Sequence, residues 1–163
     1  MDIEAFLELC AGKWFSQRTS YHLGQEKAES SKTEIRIERL SPTDAEVLGI
    51  CEYNQIDPNT TLGGTKAGWD NPATSATLIL IPDTGNTQGG EVLQARDGNL
   101  KQVVAGSYLL GQDEALILKL ERDGTCWEER LWFASPNLRL RASLIQWEDG
   151  RTATAFYSEI RRL

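Results

Sequence analysis

Arg18 and His22 fall on one alternation that begins at Trp14, within the stretch AGKWFSQRTSYHL (residues 11–23), and His22 is the chain's single histidine. In an extended strand, side chains two residues apart point the same way, so Trp14, Ser16, Arg18, Ser20 and His22 share a face unless a bulge breaks the parity. If the tryptophan turns inward, the arginine and histidine follow. An enclosed guanidinium needs an anion, because an unpaired buried charge costs several kcal/mol. That anion is either a protein carboxylate or the acid group of a ligand. NLRLRASLI (137–145) poses the same question. Leu138, Leu140 and Leu144 lie on one face and Arg139, Arg141 and Ser143 on the other. Either the leucines form the core and the arginines meet water, or the arginines point inward as bidentate forks for carboxylates. Alternation does not choose between these.

TCWEERLWFA (125–134) divides into a Trp127–Glu129–Leu131–Phe133 face and a Cys126–Glu128–Arg130–Trp132 face. A glutamate among aromatic neighbours can act as a proton donor or hydrogen-bond partner; the plainer reading is an exposed, ion-paired carboxylate. Trp69, in GWDN, stands in a Gly/Asn/Thr/Pro-rich stretch, residues 57–76, that reads as a long loop containing one short strand. There it would cover the mouth of a cavity or nucleate a satellite cluster. No Ser/His/Asp constellation, P-loop or GxGxxG pattern is present, and Cys10, Cys51 and Cys126 stand far apart with no CxxC pair. Hydrolytic and metal-dependent chemistry therefore find no support, no metal ligand set is assigned, and the cysteines read as free thiols of a reducing compartment.

The elements that must carry these residues are mostly strands. Ile3, Phe6, Leu7 and Cys10 recur at helical spacing behind the N-cap Asp2, which predicts a helix over 3–10 that ends before Gly12. Strands follow at 33–40, 46–53 (EVLGICEY), 77–82, 90–96, 101–110, 114–122, 125–134, 137–147 and 152–162, punctuated by the turns GQD, DG, SPN and EDG. A meander of roughly eight to ten short strands in one 163-residue domain predicts an all-β, up-and-down antiparallel barrel with an N-terminal helix. A barrel of this size has room for one small ligand. Gly-x-Trp at the start of the first strand is similar to the lipocalin pattern, in which the indole plugs the closed end; Arg161 or Arg162 lies where a guanidinium would stack on it. A formal charge of −7 argues against nucleic acid and anionic membranes, and no apolar run approaches membrane-spanning length. The N-terminus MDIEAFLELC lacks the basic residue of a signal peptide.

Three segments, FLELCAGKWFSQRTSYHL, ERLWFASPNLRLRAS and SEIRR, resemble the S-type phycobiliprotein lyases of the CpcS/CpeS family over essentially the whole chain. The resemblance implies a lipocalin-like barrel over 1–163 that attaches an open-chain tetrapyrrole, a phycocyanobilin-type bilin, to a cysteine of an apo-phycobiliprotein subunit. It implies a cyanobacterial cytosol or a plastid stroma, and no cofactor, the bilin being substrate. It assigns propionate pairing to Arg18 and to Arg139, then Arg141. Glu129 becomes the carboxylate that meets the pyrrole N–H groups, with Glu129 and Arg139 as the catalytic pair, and Trp69, Trp132 and His22 become ligand neighbours. Many relatives carry two histidines where this chain has Tyr21 and His22, which puts a histidine role in doubt. A homodimer or a paralogous lyase partner is left open. The alternatives are a lipocalin-like bilin carrier that does not transfer its pigment, and a chaperone for the subunit alone.

Overall fold

A computed structural model describes residues 1–24, 28–70 and 73–163. The chain runs through α1 (Ile3–Cys10), β1 (Gly12–His22), β2 (Ala28–Leu40), α2 (Ala45–Tyr53), a 3₁₀ turn (Pro58–Thr60), β3 (Gly64–Asp70), β4 (Ala73–Pro82), β5 (Gly89–Arg96), β6 (Val103–Leu110), β7 (Leu116–Arg122), β8 (Thr125–Ser135), β9 (Leu138–Gln146) and β10 (Thr152–Arg162). Each strand pairs antiparallel with the next, and β10 pairs with β1, so the described strands close a ten-membered barrel with no free edge. No helix among the described residues is long and apolar enough to cross a membrane.

One end of the barrel is sealed. Asp2 caps α1 by accepting from the Ala5 amide at 2.8 Å, and the helix buries Ile3, Phe6, Leu7 and Cys10 across the opening. Trp14 beneath it is fully buried and donates its indole N–H to the Cys10 carbonyl at 2.9 Å. Phe6 meets Phe133 edge to face at 5.2 Å. The Arg161 guanidinium covers the Trp14 ring at 4.2 Å and donates to the carbonyls of Leu9, Ala11 and Pro136, so one side chain ties the helix and the β8–β9 turn to the barrel. Gly12 makes this possible. Its φ is +135°, and a Cβ there would lie 2.7 Å from Arg161 Nη1.

Two elements differ from the sequence reading. Residues 46–53 form α2, not a strand. Val47, Ile50 and Cys51 stand at i, i+3 and i+4, and they bury a stripe against Ile79, Leu93 and Ala95 on the outside of β4 and β5. The run TLILIP is continuously apolar because this part of the sheet is covered on both faces. Residues 57–76 hold more strand than the single short one expected, with residues 71 and 72 outside the described residues. Both β3 and the start of β4 lie there, so Trp69 sits on a strand, opposite Ile35 and Thr74.

Candidate functional site

Above the sealed end the barrel encloses a cavity of about 550 Å³. Its walls are largely apolar, with Ile35, Leu78, Leu118 and Leu131 among them. The strand that plugs the closed end also sets the inward row of its neighbour. Because Arg161 of β10 stacks on Trp14, Glu159 and Tyr157 of the same row point inward too. Across the ladder, Glu159 faces Arg139 and Tyr157 faces Arg141 on β9, while Leu131 of β8 faces Arg141.

These side chains form a closed charge network low on one wall. Arg139 Nε donates to Glu159 Oε1 at 3.0 Å. Arg141 donates Nε to the same oxygen at 2.8 Å, Nη2 to Glu159 Oε2 at 3.3 Å and Nη1 to Glu129 Oε1 at 3.0 Å. The Arg141 guanidinium also lies over the Tyr157 ring at 3.9 Å. Glu159 is 1% exposed, and Arg139 and Arg141 are 6% and 9% exposed. Burial pushes the Glu159 carboxyl up, but Arg141, Arg139 and the Ser16 hydroxyl outweigh it and hold the group below the usual glutamate value. Burial works against the Arg141 charge, and Glu129 and Glu159 more than restore it, so its pKa is raised. Arg141 engages one oxygen of Glu129, a half-buried carboxylate that borders the cavity. Cys10 closes the floor beside Arg139. Burial pushes its thiol up despite the opposing arginine, which makes it a packing group.

Of the residues singled out from sequence, Arg18, Trp69, Glu129, Arg139 and Arg141 border this one cavity. Arg18 lies higher on the wall, exposed, with its guanidinium 5.8 Å from the Tyr157 ring. Two expected ligand neighbours lie elsewhere. Trp132 belongs to the outward row of β8 and packs against Arg130 at 5.5 Å and Phe156 at 6.4 Å on the outer surface, since Glu129 and Leu131 fix the inward parity. His22 is exposed at the end of β1, its ring stacked on Trp147 at 6.2 Å and outside the cavity lining. Sequence reading missed Glu159, Tyr157, Trp127 and Arg96, all tied to the cavity or its charge network. For Glu159 a signal existed, because counting back by two from an arginine stacked on Trp14 lands on it. Among the described residues no group of three His, Cys, Asp or Glu side chains is placed to hold a metal ion.

This architecture defines a class: an antiparallel β-barrel sealed at one end around a cavity, with an internally neutralised charge network buried in its wall. A family model described as CpeS-like protein matches residues 2–162. The chain is 40% identical to chromophore lyase CpcS/CpeS of Thermosynechococcus vestitus, covering 99% of this chain and 93% of that one. It is 39% identical to chromophore lyase CpcS/CpeS 2 of Synechococcus sp. (strain JA-3-3Ab), over 100% and 91% of the two chains. The solved structure of the S-type phycobiliprotein lyase CpeS from Guillardia theta superposes with a TM-score of 0.87 at 26% identity, covering 100% of this chain and 94% of that one. The chain belongs to the CpeS-like family of lyases.

Proposed function

We propose that the cavity binds an open-chain tetrapyrrole of the phycocyanobilin type, and that the protein passes it to a cysteine of a phycobiliprotein subunit. The observation that carries this is the Arg139–Glu159–Arg141–Glu129 network on one wall of a cavity of about 550 Å³ that is also lined by leucines, isoleucines and tryptophans. A bilin is a flat conjugated body with four ring nitrogens and two propionates. Its rings suit the leucine-lined wall, and removing them from water supplies most of the affinity. Glu129 offers an acceptor for the pyrrole N–H groups, and Arg141, itself locked by Glu159, holds that carboxylate in place. A carboxylate in that position favours the protonated chromophore. Phycocyanobilin lyase subunit CpcS of Picosynechococcus, 33% identical over 98% of this chain, carries the pigment in its name and supports the choice.

The transfer forms one carbon–sulfur bond. The acceptor thiolate adds to the ethylidene carbon on the pigment's first ring, the C=C pair shifts onto the ring, and a proton completes the addition. Atoms and charge balance without a resident cofactor. The lyase contributes orientation, one defined pigment conformation and exclusion of water. Glu129 is placed to exchange the proton. The reading is tested by mixing the protein, phycocyanobilin and an apo-subunit, then resolving the products on a denaturing gel with zinc-enhanced fluorescence. Colour on the subunit that requires this protein is expected. Colour that remains with this protein and disappears on denaturation would replace the lyase with a carrier.

A further inference from the structure

The charge balance of the cavity points to where the pigment's own carboxylates go, an inference that rests on the bilin reading. Arg139 and Arg141 are the deepest cations, but Glu159 and Glu129 already hold them, and the four charges cancel. A dianion pressed against a neutral quartet gains little Coulomb energy and would compete with Glu159 for donors already engaged. Two other arginines border the cavity, and neither makes an ion pair among the described residues: Arg18 on β1 and Arg96 on β5. Arg96 ends β5 in the inward row of Val92 and Gln94, four strands round the wall from β1. The nearest carboxylate in sequence, Asp97, feels the Arg96 charge but makes no ion pair with it. Its Oδ1 accepts from Thr74 Oγ1 at 2.7 Å and from the Ser75 amide at 2.9 Å. Lys32 borders the opening as well, but it lies in the outward row of β2 with Glu34 and Arg36.

We propose that Arg96 takes one of the two pigment carboxylates at the mouth of the barrel, the other falling to Arg18 as the family resemblance implies. Two unpaired positive charges then match two negative ones, on a protein whose net charge of −7 would otherwise repel the ligand. Arg96 thereby selects for a tetrapyrrole with free propionates.

The test compares phycocyanobilin with its dimethyl ester, titrated by absorbance into wild-type protein and into Arg96→Ala, Arg18→Ala and the double variant. Both arginines are exposed, so folding is expected to survive, and far-UV circular dichroism checks it. Wild type should bind the diacid more tightly than the ester. Each single variant should weaken diacid binding by about fivefold and the double variant by about 25-fold, as for separate rim ion pairs. None should change the affinity for the ester. Arg96→Lys should restore part of the loss. An unchanged diacid affinity in Arg96→Ala, or equal losses for diacid and ester, would overturn the assignment of Arg96 while leaving the bilin reading intact. Wild-type protein that binds neither pigment would overturn both.

Discussion

Glu159→Gln is the substitution that most directly probes how the cavity wall is held together. The carboxylate is 1% exposed and is the shared acceptor of Arg139 and Arg141. Glutamine keeps the shape and one carbonyl oxygen but removes the charge. Arg141 would then keep only the partly exposed Glu129, and Arg139 would keep no carboxylate. Breaking a buried ion pair by neutralising one member costs about 3–5 kcal/mol; the retained oxygen places the expected loss near the lower end, about 3 kcal/mol. With a urea slope of about 2 kcal/mol/M, the unfolding midpoint should fall by about 1.5 M at pH 7. The sign of the pH dependence is set by the lowered Glu159 pKa. A depressed carboxyl contributes stability above its unfolded value and loses it as pH falls through the folded value. The difference between wild type and variant should therefore be full at pH 7 and shrink as the pH drops below the ordinary glutamate range. A loss under 1 kcal/mol at pH 7, or a loss that does not change with pH, would refute the network as the element that orders this wall.

Glu129→Gln should leave folding intact but slow transfer of pigment to the acceptor subunit by about 10²-fold, measured by the initial rate of covalent fluorescence, if its carboxylate exchanges the proton. Gly12→Ala places a side chain at φ +135° and drives a Cβ into Arg161, so it should cost about 2 kcal/mol in urea unfolding; a neutral result would contradict the closure described at Trp14. Of the three thiols, Cys126 is exposed while Cys10 and Cys51 are buried with their pKa values raised. Native protein should therefore react with one equivalent of a thiol reagent quickly and with the other two only on unfolding. His22→Ala should leave pigment affinity within about twofold, since the imidazole stacks on Trp147 outside the cavity.

The architecture was legible because its signals are local. Hairpin turns such as Asp123–Gly124, the Gly12–Lys13–Trp14 start and the α1 stripe each announce one element, and together they admit few folds besides a barrel. Residues 46–53 read as a strand because so short a segment, with its apolar residues at 47, 48, 50, 51 and 53, fits both periods, and Gly49 weakens the helical one. What decides for helix is an external partner, the outer face of β4 and β5, which the local pattern does not contain. Trp69 was misplaced for the opposite reason, because Gly64 and Gly68 look like turn residues although both lie in β3. Gly64 is there because a Cβ would collide with the Leu78 carbonyl. The site was legible in its residue types and not in its pairing. Alternation gave β9 two equivalent orientations, and only the register between β9 and β10 shows that Glu159, a residue twenty positions from Arg139, is the anion the buried arginines require.

A crystal structure of the protein with phycocyanobilin bound tests the central claim most directly. It should show the tetrapyrrole inside the barrel, with ring nitrogens about 2.7–3.2 Å from the Glu129 carboxylate and the Arg139–Glu159–Arg141 bonds intact behind it. A pigment seated on the outer surface beside Trp132 and Phe156, with the cavity left to solvent, would contradict it.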